Sequence, residues 1–586
     1  MPLPASTKQK GREGDLPAFS YAQKTNRGRV NHIVASLRSR RGVRVSRARL
    51  VDVTVTVASA FALFCMFFHP AILDPYNVGW LLRGTDNGEN ALGLHAWLND
   101  PAAHGLRTML LNAPDGVPLL FTDSNPLLAL MVRPIAALMS PGVQFVGPWY
   151  LMCLVLQVGF ARALVRPHAA NAVIGWLGAL VLCLLPTLYA RYVHANLFAH
   201  WLLLAALWLF VDQRHAADWR WWTALLVGTA LIHNYLLVMV AAFWASAMLE
   251  RWWHAPSSRG KLVVGAMITV GAVLLAISAL QIGGGFANTY TYRTYAMPLD
   301  ALWNPSNPSY SNFLPATEQR LRRAFEGFQY LGAGLLLIVA AMPFALRWAP
   351  PVNAIGAVHH RLLWLVPAGV VLTVVAVSHE VDWAGRTLFT LPLPHTVIGL
   401  LDPLRASSRL FWPVAYVLVF AAVLAAFRLP RRRTAQLLGA ALVLQLADMT
   451  TMMVAMRKVT KEASQRRAYT LTTDPRWTDA IAGSRDVTFV PPTAILDLHL
   501  FQEVAWRAVL AGKPVRLVYA ARDGRSTLAR LRGEQDAFDH GLLAPDRLYV
   551  LFPQATIPPG AAPRLRVLNG VRILVPLSAS SPRSAS

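Results

Sequence analysis

Two acidic points stand out in a basic chain. Asp86 and Glu89 lie in Trp80-Leu81-Leu82-Arg83-Gly84-Thr85-Asp86-Asn87-Gly88-Glu89-Asn90-Ala91-Leu92-Gly93, soon after an apolar run, and Asp123 lies in Phe121-Thr122-Asp123-Ser124-Asn125-Pro126. A carboxylate at a membrane face can take a proton from a water-borne hydroxyl while a lipid-borne phosphate stays at headgroup depth. Asp86 is the candidate general base, and Glu89 falls one turn away on a helix. Asp123 suits sugar hydroxyls, or a hard divalent cation shared with Asp86. Equally, Asp123 or Ser124 reads as a helix N-cap with Pro126 in the first turn. The plain alternative for Asp86 and Glu89 is a solvated acidic loop.

The cationic candidates fall into three groups. Arg191, His194 and His200 frame a short turn, His233-Asn234 joins two short apolar segments, and Arg405 and Arg409 flank Ala406-Ser407-Ser408. Ionisable groups at membrane depth normally face a polar cavity, and the guanidinium fork matches phosphate oxygens. Snorkelling to headgroups accounts for Arg405 and Arg409 as well, and each histidine also reads as a satisfied polar residue of the bundle. No histidine pair at metal spacing argues for zinc. Tyr330 follows a stretch with Gly283-Gly284-Gly285, Tyr290, Tyr292, Tyr295, Trp303 and Tyr310, whose rings suit sugar stacking or an interfacial belt.

The elements that must position these groups are set by composition. The 586 residues are 55% hydrophobic and 15% charged with net charge +25, and mean hydropathy is +0.40. That excludes a soluble multidomain protein and disorder, and leaves a multi-pass membrane protein. Cys65, Cys153 and Cys183 all sit in apolar runs, so no disulfide framework is expected. Eleven apolar segments are expected, near 51–68, 144–164, 171–189, 198–212, 219–232, 235–250, 261–281, 329–347, 361–378, 409–428 and 435–455. The apolar stretch 126–140 is short and interrupted by Arg133-Pro134, so it reads as a surface helix.

Residues 1–49 form a basic tail with twelve Lys/Arg against Glu13 and Asp15. The positive-inside rule puts it in the cytoplasm, together with the short basic turns at Arg162/Arg166, Arg214/Arg220, Arg251/Arg259/Lys261, Arg347/Arg361 and Arg428/Arg431. The outer, periplasmic side then receives the 70–140 loop with its juxtamembrane helices, the 282–328 loop and everything after 457. Within a transmembrane domain of 50–456, that gathers every candidate on one face. Short strands at 487–490, 515–519, 548–552 and 571–575 and an amphipathic helix at 498–511 indicate a small periplasmic α/β domain over 457–578. A Ser/Pro/Ala-rich tail, 579–586, reads as disordered. The positive charge thus sets topology, and no nucleic acid is needed as a partner.

This layout resembles the GT-C superfamily of polyprenyl-phosphosugar-dependent glycosyltransferases, and more closely a bacterial family of that type catalogued mainly as a domain of unknown function. The matching stretches are Asp86 with Leu92-Gly93, Phe121-Thr122-Asp123-Ser124 with Pro126-Leu127, His200-Trp201, Glu326-Gly327-Phe328-Gln329-Tyr330-Leu331-Gly332, Leu404-Arg405-Ala406-Ser407-Ser408-Arg409-Leu410-Phe411-Trp412 and Ala520-Ala521-Arg522. Thr85 stands where glycine is expected and Leu94 where tryptophan is expected.

The resemblance implies a GT-C-like fold of about eleven transmembrane helices in the bacterial inner membrane. It implies inverting sugar transfer from a polyprenyl-phosphate donor to an envelope glycan or lipid-linked acceptor, with membrane lipids as further partners. The superfamily's outer-loop catalytic carboxylate carries over to Asp86. Glu89, Asp123, Arg191, His194, His200, His233, Arg405, Arg409 and Tyr330 are then expected to bind substrate, with Arg405, Arg409 and Arg191 neutralising the leaving phosphate. The second outer-loop acidic motif has no acid here. No cofactor is therefore assigned, and a divalent cation, Mg or Mn, stays open. Two alternatives remain: an O-antigen ligase or polymerase leaning on Arg and His, and a lipid-linked glycan transporter, disfavoured by the absence of repeats.

Overall fold

A computed structural model describes residues 49–282, 291–320, 322–349, 353–520 and 524–577. The basic tail before Arg49, Gly283-Gly284-Gly285, Tyr290, Ala521-Arg522 and the tail expected at 579–586 lie outside the described residues. Every candidate site residue belongs to one compact unit, which begins at Ser59.

Among the described residues, six helices are long and apolar enough to cross a membrane: Arg49–Phe67, Val146–His168, Asn234–His254, Pro256–Ala279, Ile355–Val377 and Ser407–Ala426. Two bent pairs, Ala172–Leu182 with Pro186–Val193 (44°) and Arg431–Asp448 with Thr450–Gln465 (49°), raise the number to eight. Helices also occupy the remaining three of the eleven expected segments. They are Ala195–Val211 and Ala333–Trp348 and Trp219–Ala230, all shorter than the ~20 residues a ~30 Å hydrocarbon core requires. Hydropathy alone does not register this, because it measures apolar content and not helix length. Pro186, at the start of the second half of its pair, brings no N–H to continue the preceding helix.

The elements that carry the acidic candidates follow local rules. The Asp86–Leu98 helix carries Asp86 and Glu89 in its first turn, where the helix dipole favours negative charge. It is buried on nearly all sides from Asn87 to Trp97. The Pro126–Ala136 helix starts with proline, and its N-cap is Asn125, whose side chain accepts from the Leu128 N–H at 3.0 Å. The cap is therefore neither Asp123 nor Ser124, which frees both for other contacts. Leu130, Met131 and Ile135 on this helix are exposed. A small antiparallel pair, β1 (Arg107–Thr108) with β2 (Val117–Pro118), joins these helices. A second hairpin, β3 (Glu380–Trp383) with β4 (Arg386–Thr390), lies between two spans.

The C-terminal part holds a four-stranded sheet in the order β5-β6-β8-β7. Its strands are β5 (Asp486–Val490), β6 (Arg547–Leu551), β7 (Leu565–Leu568) and β8 (Val571–Leu574). β5 and β6 are parallel, and the other neighbours are antiparallel. The expected strand at 515–519 is absent: Val515 makes only isolated bridges, to Leu111 and Val487. Pro514 precedes it and supplies no donor, and the bridge to Leu111 stitches this segment to the stretch after the Asp86–Leu98 helix instead. Trp477, Phe501 and Trp506 share one apolar core with span residues such as Trp412 and Tyr416.

Candidate active site

Asp86 opens its helix half-buried, and the helix is held by the C-terminal part. The buried Gln502 side chain, on the Leu498–Leu510 helix, accepts from the Gly84 N–H at 2.9 Å and donates to the Thr85 carbonyl at 2.8 Å. One turn from the helix end, His95 stacks on Trp506 with centroids 4.0 Å apart. Gln502 thus fixes the two residues before Asp86, a positioning role that no local sequence pattern announces. Gln502→Ala removes the partner of the part-buried Gly84 N–H and one of the donors to the Thr85 carbonyl, at a cost of about 1 kcal/mol. Its thermal midpoint in detergent falls accordingly; a wild-type midpoint would contradict the clamp.

Asp123 reaches Asp86 from a different turn. Its backbone is left-handed, φ 52°, a conformation aspartate tolerates better than most residues. Its carbonyl accepts from the side-chain amides of Asn196, at 2.8 Å, and Asn90, which point the residue inward. His194 completes the group: its Nδ1 lies 2.9 Å from Asp86 Oδ2. Ligand atoms of Asp86, Asp123 and His194 all lie within 4.8 Å of one another. Two hard carboxylates and one imidazole are a donor set that fits a divalent cation such as Mn or Mg.

Charge tuning follows from this crowding. Burial, helped by the Asp86 carboxylate, pushes Asp123 up to about 6 against the pull of His194, Arg409 and Arg405. Glu89 is raised well above the usual carboxylate range, by burial and then by Asp123 and Asp86. Both its carboxyl oxygens are buried with no hydrogen-bond partner among the described residues, a setting that disfavours its charged form. Burial opposes charge on His194, but its hydrogen bonds to Asp86 and Glu326 outweigh this and raise it.

Glu326, not singled out among the candidates, proves to be the hub of the cationic side. Arg409 grips it with Nε–Oε2 at 2.9 Å and Nη2–Oε1 at 2.7 Å. Arg191 Nη1 reaches Oε2 at 2.8 Å, and His194 Nε2 lies 3.7 Å from Oε1. Burial alone would raise Glu326, yet the Arg409 and Arg191 guanidiniums hold it well below the usual range. One carboxylate against two guanidiniums leaves one positive charge in this cluster. Arg405, half-buried nearby, makes no side-chain hydrogen bond or ion pair among the described residues, while its field reaches Asp123 and Tyr519. Tyr519 also faces the acids: burial, then Asp86, Asp123 and Glu89, push its hydroxyl up to about 12.

The remaining candidates are placed differently. His200 is fully buried, with Nδ1 3.1 Å from the Tyr416 hydroxyl and its ring 4.4 Å from that of Trp412. It meets the site through Trp412, which also lies under Arg191 at 5.7 Å, and it feels the Arg191 charge. His233 caps the Asn234–His254 helix by accepting from the Tyr235 N–H, and feels the charges of Arg409, His194 and Glu326. Tyr330 joins another polar cluster, its hydroxyl 2.7 Å from Asp448 Oδ2 and 3.2 Å from Ser311 Oγ.

With this geometry in view, comparison with known proteins gives the following. The family described as Domain of unknown function (DUF6311) matches residues 57–450, and its C-terminal domain, DUF6311_C, matches residues 476–576. No curated protein matches the sequence. Among solved structures, the archaeal oligosaccharyltransferase AglB from Archaeoglobus fulgidus, in complex with an inhibitory peptide and a dolichol-phosphate, is similar at TM-score 0.40 and 12% identity. That alignment covers 86% of this chain and 69% of that one. A crystal structure of the Archaeoglobus fulgidus oligosaccharyltransferase, complexed with Zn and sulfate, is similar at TM-score 0.36 and 11% identity, covering 85% and 67%.

Proposed function

The chain belongs to the DUF6311 family, and for it we propose glycosyl transfer from a prenyl-phosphate-linked sugar to a hydroxyl of an envelope glycan or lipid-linked acceptor. The observation that carries this reading is one juxtaposition: a half-exposed carboxylate, Asp86, beside an arginine cluster with excess positive charge and an uncommitted Arg405. In this reading the site faces the periplasm from the bacterial inner membrane, with the N-terminus in the cytoplasm.

Asp86 takes the proton from the acceptor hydroxyl as its oxygen bonds to the anomeric carbon. The bond from that carbon to the phosphate oxygen breaks, and prenyl phosphate leaves with the electron pair. Prenyl phosphate is a good leaving group, so no general acid is needed; the charge it develops is met by Arg405 and the net positive Glu326 cluster. Attack opposite the leaving group inverts the anomeric carbon. His194 holds the Asp86 carboxylate in place, and Glu89 stays buried behind the pair. A bound divalent cation would add positive charge near the reacting oxygens, and Asp86, Asp123 and His194 would hold it.

Two measurements test this. Purified protein in nanodiscs, given prenyl-phosphate sugars and acceptor glycan, yields product of inverted anomeric configuration by NMR; retention would contradict the single-displacement reading. Second, Mn2+ binding followed by electron paramagnetic resonance is lost in Asp123→Asn. Asp123 ionises near 6, so protons compete below that pH and affinity falls by up to about tenfold per pH unit. Equal Mn2+ binding by wild type and Asp123→Asn would remove the cation from the account. His194 on Asp86 and Arg191 on Glu326 favour one rival, a ligase or polymerase driven by Arg and His. It predicts intact activity in Asp86→Asn and loss in His194→Ala.

A further inference from the structure

The β3–β4 hairpin is built with its polar face inward. In its register Glu380 pairs with Thr390, Asp382 with Thr387, Val381 with Phe389 and Trp383 with Arg386, so Glu380, Asp382 and Thr387 share one face. That face is packed on arginines. Arg323, itself fully buried, holds Asp382 at 2.8 Å, while Arg293 and Arg320 reach Glu380 at 3.1 and 3.3 Å. Thr387 Oγ1 donates to Asp382 Oδ1 at 2.9 Å. The opposite face carries Val381, Trp383 and Phe389, with Leu391 two residues further on, and of these only Val381 is buried. Trp383, Phe389 and Leu391 are 43%, 52% and 52% exposed. Leu388, left without a partner where the register shifts, is exposed as well. A hairpin that meets water does the reverse, with its apolar face on the core and its polar face out. Contiguous exposed apolar surface marks a partner.

The chain on either side of the hairpin indicates which partner. β3 starts three residues beyond Val377, the end of the Ile355–Val377 span, whose Val370, Val371 and Val374 are exposed as the lipid-facing side of a span must be. At ~3.3 Å per residue Glu380 is at most ~10 Å from that end, so the hairpin begins at headgroup depth. After β4 the chain passes through the His395–Leu401 helix, which has no buried residue, and enters the Ser407–Ala426 span. The apolar surface is therefore continuous along the chain with lipid-facing surface at one end and returns to a span at the other. Trp303 sets its ring edge on Trp383, with centroids 5.4 Å apart, and Arg386 is exposed at the turn. Indole rings favour the membrane interface, and a guanidinium there reaches for phosphates. We propose that the outward face of this hairpin, Trp383, Phe389 and Leu391, docks into the bilayer leaflet that meets the ends of these two spans. The partner is the phospholipid surface, and docking holds the 379–404 stretch, with the Arg405 that follows it, at headgroup depth.

Spin labels read the depth of this face. Cys153 and Cys183 are buried, so Phe389→Cys and Leu391→Cys are labelled in a Cys65→Ala background, on the whole protein in phosphatidylcholine liposomes. Val371→Cys on the span and Arg532→Cys, exposed on the Arg525–Asp539 helix, are the references. Collision with oxygen, which concentrates in lipid, is compared with collision with a water-soluble nickel chelate present on both sides. Oxygen collision exceeds nickel collision several-fold at Phe389 and Leu391, as at Val371, and the order reverses at Arg532. Nickel collision dominating at both hairpin positions overturns the proposal by placing the face in water. Dipolar broadening between Phe389 labels that vanishes on dilution with unlabelled protein overturns it by placing a second copy there. Unmodified protein gives an independent reading: a photoreactive phosphatidylcholine tags the 383–400 stretch as heavily as 366–377, and tagging no heavier than that of 525–539 overturns the proposal.

Discussion

Glu326→Ala protein loses about 3–5 kcal/mol of stability and largely fails to survive purification in detergent. Among the described residues, the side chain it removes is the only carboxylate paired with two guanidiniums that are 0% and 10% exposed. Removing one partner of a buried ion pair is costly because the other charge stays behind without water or counter-charge. Here two are left, together with the His194 edge. Glu326→Gln loses less, since an amide oxygen still accepts from Arg409 and Arg191. Adding Arg409→Met to Glu326→Ala recovers part of the loss by removing one stranded charge. Thermal unfolding in detergent reads all three, and a wild-type midpoint for Glu326→Ala would show that the cluster is not the keystone of this face.

Asp86→Asn is expected to fold like the wild type and to lose about 10²–10⁴ in transfer rate, the usual contribution of a general base. Asparagine keeps the shape and can still accept from His194, and the Asp86 side chain is 26% exposed, so the loss falls on chemistry. The fall should appear in kcat with little change in KM, because in this reading donor binding belongs to the arginine side. A variant that weakens KM alone would make Asp86 a binding residue.

Much of the site was legible because its acids break an otherwise apolar, basic pattern. Asp86, Asp123, Arg191, His194, Arg405 and Arg409 each stand out beside a hydrophobic run, and alternating the runs places them all on one face. What sequence could not supply is pairing across hundreds of residues. Glu326 lies in a stretch already singled out by resemblance, and an acid set among Phe325, Gly327 and Phe328 must be compensated if buried. Its partners, however, are 135 and 83 residues away. Tyr330, four residues on, was drawn into the expected site by its aromatic neighbourhood, yet its hydroxyl binds Asp448, 118 residues downstream. The same limit hid Gln502, whose contacts to Gly84 and Thr85 are the reason the C-terminal part matters to Asp86. Helices lie in all eleven expected segments, but a window of hydropathy measures apolar content and not length, so it does not separate the shorter helices Ala195–Val211, Trp219–Ala230 and Ala333–Trp348 from spans.

The most direct test of the reaction is acceptor-dependent release of free prenyl phosphate from a prenyl-phosphate-linked sugar, followed by mass spectrometry on wild-type and Asp86→Asn protein in nanodiscs. Release by the wild type only when acceptor is present, and its near-complete loss in Asp86→Asn, is the predicted result. Equal release by the two proteins, or none by the wild type across the prenyl-phosphate sugars of the bacterial envelope, would contradict the account.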